Sequence, residues 1–334
     1  MPKFQKIDIP FFVDFSKPVM VDNRNFRKGN TDKYFEMSKK EVSNFPKEDG
    51  LIVSEDYVHF LLCPVCNSNK DKQLFIKWGF QISVCTECDH IYVKNQLLES
   101  RIIELYTTSD VDKQFQTRRN DDEGLNRYWI LVYAKYIQKF QDTAKKNNSY
   151  LLDIGAGAGQ FLSLCSELTN FKLHAMEFSE NSAEFLKSIV GAKNFYQEKI
   201  SSTDFHETKF DIITMFGVLE HISEPRVELG KCKKILNEDG KILVLVPNFY
   251  SRAYKILGIN TPTINPRTHL NYFSKKSMDR LCSEVGLKVQ EYYQELPVID
   301  LMYDFISFND QIVDEILQDN ESYYSVFIIS HNDL

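Results

Sequence analysis

Asp153, Gly155, Gly157 and Gly159 form the most chemically informative pattern in this chain of 334 residues. An apolar run, Tyr150-Leu151-Leu152, ends in the carboxylate, the glycines alternate with Ala156 and Ala158, and Phe161, Leu162 and Leu164 open a helical pattern. That order is strand, tight turn, helix. With no Cβ at three positions of the turn, a ligand can lie against bare backbone while the N–H groups of the helix N-terminus face it. The turn therefore reads as a cofactor seat. A dinucleotide fingerprint requires G-x-G-x-x-G; its third glycine would fall on Gln160, so that fit fails. Glu177 closes the next apolar stretch, near the roughly 20-residue offset at which an acid meets ribose hydroxyls after such a turn.

The second pattern belongs to sulfur. Cys63-Pro64-Val65-Cys66 and Cys85-Thr86-Glu87-Cys88 give C-x2-C-x18-C-x2-C, within the spacing of a four-thiolate zinc site. Gln73 to Lys77 and Phe80 to Val84 alternate as hairpin strands that bring both turns together, which defines a zinc ribbon. Four thiolates leave no open coordination position, so the expected Zn2+ is structural. The competing reading, a redox-active thiol pair, needs only one C-x-x-C and a surrounding βαβ pattern. His90 is a spare donor that the set does not require. Cys165, Cys232 and Cys282 sit on apolar helical faces and read as small core residues.

These residues need elements to hold them. Strands are expected at 150–154, 171–177, 195–199, 210–216, 241–247, 287–294 and 323–329. Helices are expected near 159–168, 180–190, 225–236, 274–285 and 309–318. Alternation at this spacing implies an α/β fold with a parallel sheet and helices on both faces. Pro225 just inside one helix start and Gly240 beyond its end are the expected punctuation. Upstream, Leu125, Trp129, Val132, Tyr133, Tyr136, Ile137 and Phe140 make one helical stripe, expected to pack on the main sheet. The polar segment 109–122 reads as a mobile cover. The expected division is an extension at 1–58, a zinc ribbon at 59–95, a helical linker or cover at 96–148 and the main domain at 149–334. The extension, with an edge strand expected at 7–15, reads as an arm on the next module, or alternatively as a partner-binding or homodimer-forming segment.

Length alone favours more than one domain. With 47 acidic and 40 basic residues the net charge is -7, which disfavours a broad grip on nucleic acid. Prolines at 2, 10 and 18 and aspartates at 8 and 14 interrupt any leader-like apolar segment. No run approaches the roughly 18 apolar residues of a membrane span. Four paired cysteines of seven suit a reducing compartment, so a cytoplasmic protein is expected.

The D-x-G-x-G-x-G turn resembles the first motif of class I S-adenosylmethionine-dependent methyltransferases. Glu177 then matches the acid ending the second strand, and Phe210-Asp211-Ile212-Ile213-Thr214-Met215-Phe216-Gly217-Val218-Leu219-Glu220-His221 resembles the fourth-strand segment of the same family. The motifs cover about residues 124 to 334. The resemblance implies a doubly wound, seven-stranded Rossmann-like sheet with a final hairpin. It implies S-adenosylmethionine held by Asp153, Gly155, Ala156, Gly157, Gly159 and Glu177, with Phe178, Ile200 and Phe216 as further contacts and Asp204 as a polar candidate at the adenine. Tyr106, Arg127 and Tyr128 are candidates for closing over the cofactor.

Methyl transfer from a sulfonium mainly needs alignment, and a hydroxyl or acidic-carbon acceptor also needs a base, for which histidine is suited near neutral pH. The resemblance places Glu220 and His221 in the active-site wall, where the pair helps bind a divalent ion or acts in catalysis, or serves as a loop anchor. His269 lies in His269-Leu270-Asn271-Tyr272-Phe273-Ser274, similar to the family's H-x-x-x-F-S signature, with Tyr272 and Arg267 nearby. Asn248, Tyr250 and Tyr254 follow the fifth strand. A ribbon before this domain resembles enzymes of sugar and polysaccharide biosynthesis and, more distantly, quinone O-methyltransferases. The expected acceptor is a small molecule, a nucleotide-linked sugar or related metabolite. An RNA methyltransferase and a non-catalytic binding protein on the same fold are the alternatives.

Overall fold

The computed structural model describes residues 15, 17–19, 30–108, 123–143, 149–296 and 310–332. The expected cover at 109–122 and all but the last residue of the expected edge strand at 7–15 lie outside the described residues. The chain opens with helix α1 (Asn30–Glu41), the small hairpin β1 (Lys47–Glu48) and β2 (Leu51–Ile52), and β3 (Val58–Phe60). The cysteine-bearing hairpin β4 (Asp71–Lys77) and β5 (Phe80–Cys85) follows, then β6 (Ile91–Val93), β7 (Asn95–Leu97), α2 (Glu99–Thr108) and the long α3 (Glu123–Thr143). From β8 (Tyr150–Ile154) the chain alternates through α4 (Gln160–Leu168), β9 (Lys172–Met176), α5 (Glu180–Val190), β10 (Phe195–Tyr196), β11 (Phe210–Phe216), α6 (Pro225–Ile235) and β12 (Leu236–Pro247). It ends with α7 (Arg252–Leu257), β13 (Asn271–Tyr272), α8 (Lys275–Val285), β14 (Leu287–Glu295), α9 (Asp310–Gln318) and β15 (Tyr324–His331).

Seven strands form one sheet in the order β10-β9-β8-β11-β12-β15-β14. The first five are parallel, and β15 lies antiparallel between β12 and β14. This is the expected doubly wound sheet with its final hairpin. Its strands are near-continuous apolar runs because both faces are covered, and period-two alternation sorts them. Leu152, Ile154, Ile213, Met215, Val244 and Phe327 join the core under α6 and α8. Leu151, Ile212, Leu243, Leu245, Val326 and Ile328 join the core under α3, where the Leu125-to-Phe140 stripe packs as expected. The order turns back between β8 and β11, and the crevice at such a switch point, beyond the strand carboxyl ends, is where open α/β sheets take ligands.

Two expectations need correction. Gly240 does not end a helix: α6 stops at Ile235 and Gly240 lies within β12. The partners of β11 jump there from Leu236 to Lys241, so the chain bulges, and a Cβ on Gly240 would stand 2.7 Å from Leu236 Cδ1. The third strand is only Phe195–Tyr196, because the chain turns at Lys199, whose carbonyl accepts from Ser202 N and Thr203 N.

The cysteine hairpin belongs to a second sheet, ordered β13-β6-β5-β4 and antiparallel throughout. Its turn, Trp78-Gly79, has φ of 56° and 95°, the doubly left-handed conformation that suits tight hairpins. The strand at its far edge, β13, comes from the C-terminal half, about two hundred residues later in the chain than β4. The N-terminal module and the segment around β13 are thereby joined in one sheet. No helix among the described residues is long and apolar enough to cross a membrane.

A buried ion pair fixes the N-terminal segment to the main domain. Lys135 Nζ donates to Glu295 Oε1 at 2.6 Å and to Lys17 O at 2.8 Å. Tyr136 OH donates to the same carboxylate oxygen, and Val19 N donates to the other at 2.7 Å. The two charged side chains are 1% and 0% exposed. Removing one partner of such a pair strands the other charge. Lys135→Met is therefore expected to lower the unfolding free energy by about 3–5 kcal/mol, and adding Glu295→Gln should recover much of it, as read by urea denaturation.

Candidate active site

The elbow after β8 is fastened at the carboxyl edge of the sheet. Gly155 N and Ala156 N both donate to Met176 O, at 2.8 and 3.0 Å. Gly157 N donates to Glu177 Oε2 and Ser179 N to Glu177 Oε1, each at 2.8 Å. Glu177 thus lies directly beneath the elbow, and these two bonds use half of the roughly four lone-pair sites of a carboxylate. The three glycines serve different ends. A Cβ on Gly155 would stand 2.5 Å from Val218, and one on Gly159 would press Phe185 and Leu186 of α5 at 3.1 and 3.0 Å. A Cβ on Gly157 meets nothing closer than Gly155 O at 3.9 Å. Gly157 is the position open to a ligand, and with φ at 55° it favours glycine on backbone grounds too.

Asp153 pairs in register with Thr214 of β11, and Thr214 Oγ1 donates to its carboxylate at 2.7 Å. Burial lifts the Asp153 carboxyl to about 7, with nearby Glu177 adding to the rise and Thr214 opposing it. A cation arriving here would be favoured because it offsets that desolvation. Of the other expected cofactor contacts, Ala156 is buried in the elbow, Phe178 is 52% exposed at its rim and Ile200 is fully packed in the core. Phe216 ends β11 with its ring 4.9 Å from Phe161 and 5.0 Å from Tyr133. Asp204 lies in an exposed turn, where it accepts from His206 N. Arg127 is exposed and Tyr128 buried; the side chain of Tyr106 lies outside the described residues.

The second wall brings together residues about fifty positions apart. After β11 the chain passes Gly217 into a 3-10 turn, Leu219–His221. Leu270 N donates to Glu220 O at 2.7 Å, and Asn271 Nδ2 donates to Ile222 O at 2.6 Å. This lays the loop before β13 across the turn. The His221 and His269 rings meet edge to face, 4.8 Å between centroids, and Glu220 Oε1 is 3.9 Å from His221 Nε2. One donor atom of each of Glu220, His221 and His269 lies within 4.8 Å of the others. Nδ1 of His221 bonds Thr268 O at 2.9 Å and Nδ1 of His269 bonds Thr263 O at 2.7 Å. A carbonyl only accepts, so Nδ1 carries the proton in both rings and Nε2 is the basic nitrogen.

Burial sets the charge states of this wall. Desolvation brings His221 down to about 4 and His269 to about 3 and lifts Glu220 to about 8. All three are neutral at pH 7. Tyr272 is buried, and burial pushes its phenol well above the ordinary value, with the Glu220 carboxylate adding to the rise once it ionises. Glu220 Oε2, Tyr272 OH, Thr263 Oγ1 and Asn265 Oδ1 are buried with no hydrogen-bond partner among the described residues.

The four ribbon cysteines converge. Cys63 Sγ is 3.6 Å from Cys88 Sγ and Cys66 Sγ is 3.5 Å from Cys85 Sγ, near the ~3.8 Å edge of a tetrahedron with 2.3 Å metal–sulfur bonds. All four sulfurs lie within 4.8 Å of one another. Each pair sits on a tight turn whose next residue is left-handed, Asn67 at φ 59° and Asp89 at φ 58°, residue types that tolerate it. His90 is no ligand here: its Nε2 bonds Asn271 Oδ1 at 3.0 Å.

Several residues at this site carry no sequence signal. Lys77 ends β4 in an alternating strand that reads as solvent-facing, yet its Nζ donates to Ile259 O and Ile264 O, both at 2.6 Å. Burial brings its ammonium down to about 8. Tyr34 OH accepts from Asn265 Nδ2 at 3.0 Å, and Arg267, fully buried, pairs with Glu41. Both partners come from α1, far upstream. Of the residues after the fifth strand, Asn248 ties Asn320 O and Ser322 O, Tyr254 packs on Phe249 at 4.4 Å, and Tyr250 is exposed.

The family described as "Methyltransferase domain" matches residues 125–292, just over half of the chain, and the protein belongs to that family. It is 41% identical over 89 residues to a ubiquinone biosynthesis O-methyltransferase of Glaesserella parasuis serovar 5 (strain SH0165), covering 25% of this chain and 38% of that protein. It is 27% identical over 148 residues to the phosphoethanolamine N-methyltransferase of Plasmodium falciparum (isolate 3D7), covering 40% of this chain and 56% of that one. The matched lengths thus span only part of these curated relatives. The plantazolicin methyltransferase BpumL in complex with SAH superposes at a TM-score of 0.47 with 14% identity, over 70% of this chain and 94% of that chain. That likeness adds nothing to the fold already described.

The glycine contacts separate packing from ligand access. Gly155→Ala should cost about 1–3 kcal/mol through overpacking against Val218, added to the backbone strain that Gly157→Ala also carries. Thermal unfolding is expected to show the larger loss for Gly155→Ala.

Proposed function

We propose that the protein is an S-adenosylmethionine-dependent methyltransferase acting on a hydroxyl or acidic carbon of a small, hydroxyl-rich acceptor, a nucleotide-linked sugar or related metabolite. The observation that carries the acceptor class is the group of buried polar atoms on the second wall, Glu220 Oε2, Tyr272 OH, Thr263 Oγ1 and Asn265 Oδ1. Each costs about 1–3 kcal/mol while unsatisfied, and an acceptor bearing several hydroxyls offers partners that an apolar ring does not. Relatives named for O-methylation and for phosphoethanolamine N-methylation are in keeping with a small-molecule acceptor.

The elbow fits the cofactor. Gly157 leaves room where a side chain would intrude, Asp153 is a buried carboxylate suited to an ammonium, and Glu177 keeps lone pairs for ribose hydroxyls. Phe178 at the rim is the proposed adenine cover, with Ile200 and Phe216 as apolar support. When bound, the cofactor supplies a methyl group on a cationic sulfur. The chain orients the acceptor toward it and takes its proton. Nε2 of His221 or His269 is the proposed base, in a tautomer fixed by the Nδ1 bonds to backbone carbonyls. Glu220 stands beside His221, its Oε1 3.9 Å from Nε2. Arg267 and Tyr272 shape the same wall.

The four cysteines are proposed to hold a structural Zn2+. Burial and the neighbouring sulfurs raise the Cys66 thiol to about 11, so gathering thiolates here requires a cation.

Calorimetry with S-adenosylmethionine tests the reaction class. Because the Asp153 carboxyl lies near 7, it is neutral below that pH and ionised above it. Binding the cationic cofactor at pH 6.5 should expel a proton, and affinity should rise from pH 6 to 8. Asp153→Asn should abolish both effects. No binding by the unaltered chain sinks the proposal. For the ribbon, Cys66→Ser should release the metal seen by elemental analysis; unchanged metal content would rule the site out.

A further inference from the structure

We propose that Lys77 is a positioning residue for the acceptor site: it pins the loop that presents His269 to the cysteine-bearing sheet. The proposal rests on the acceptor-site assignment above and assigns the N-terminal module a part in it. Lys77 is a cation buried at 7% exposure, and among the described residues no carboxylate forms a salt bridge with it. Its stabilisation comes from two loop carbonyls, Ile259 O and Ile264 O, and from the faces of Phe35 and Trp78, whose ring centroids lie 4.8 and 4.7 Å from Nζ. A buried ammonium is costly unless its donors are met, so the carbonyls are held in place as firmly as the cation is.

The next link is one peptide away. Thr263 O, adjacent to the carbonyl of Ile264, accepts from Nδ1 of His269. Lys77 therefore fixes one carbonyl of the loop and His269 reads the orientation of its neighbour. Asn265 O accepts from Thr268 N at 3.1 Å and His269 N at 2.7 Å, closing the loop on itself. Helix α1 grips the same loop through Tyr34 to Asn265 and Glu41 to Arg267. The base-bearing wall is thus oriented from the N-terminal side, by a lysine on β4 and by a helix.

The test uses the full, metal-loaded chain without nucleoside or acceptor. Imidazole 15N–1H correlation spectra report each ring, and hydrogen-exchange mass spectrometry reports residues 258–270. Lys77→Met should erase or broaden the His269 Nδ1–H signal and speed exchange in that segment roughly tenfold or more, the scale of a lost charge-assisted hydrogen bond. The signal of His174, bonded to Tyr196 OH at 3.1 Å away from the loop, and the metal content should stay as they are. An unaltered His269 signal and unaltered exchange in a folded Lys77→Met chain overturn the proposal. If that variant loses metal and the His174 signal, Lys77→Gln is read instead. It keeps a donor but is one bond too short to span both carbonyls, so faster exchange is again expected and wild-type exchange overturns the proposal. Neither readout involves cofactor or acceptor, so failure of the reaction class proposed above would leave both unchanged.

Discussion

Leu270 joins the two halves of the molecule through its backbone. Its N–H donates to Glu220 O and its carbonyl accepts from Val93 N at 2.9 Å. The two peptide groups flanking one residue therefore tie the turn after β11, the loop bearing His269 and the sheet that carries the cysteines. β13 continues this as a strand pairing, Asn271 opposite Tyr92 and Tyr272 opposite Ile91. Backbone bonds of this kind do not depend on the side chains at either end, so the frame is set by main-chain geometry and the chemistry is mounted on it.

The two walls of the crevice differ electrostatically. The elbow concentrates acid, Asp153 with Glu177 close by, under open backbone. The opposite wall is held neutral: burial lowers both histidines and raises Glu220. The first group carries buried carboxylates, and the second pairs a basic ring nitrogen of His221 with the Glu220 carboxyl 3.9 Å away. The same desolvation by burial produces both effects.

The elbow and its acid were legible in the sequence because the features that define them are local. Asp153 to Gly159 is one turn, and Glu177 ends the next strand. The parallel sheet with helices on both faces followed from alternation, the seven strands with a final hairpin from the family resemblance, and the α3 stripe from helical period. Other features depend on distance. Lys77 sits in a strand whose polar positions look solvent-facing, and only the approach of residues 259–264 buries it. β13 is two residues long, too short for any period to register. Tyr34 and Glu41 lie on a polar helix that reads as an arm until Arg267 is seen against it. Gly240 misled because a glycine after a helix usually stops it, whereas here it relieves a bulge in the following strand. The histidines were recognisable by motif, but their meeting edge to face is a product of the loop crossing the turn.

The shared sheet has a bearing on how such a protein can change over generations. A strand contributed by one half to the other cannot be inherited separately, so a recombination that swapped the cysteine module for a cousin's would leave the elbow after β8 intact while stripping the loop before β13 of its strand partner. Change on either side of that pairing must then proceed by drift in both halves together, with β13 as the seam that keeps them in step.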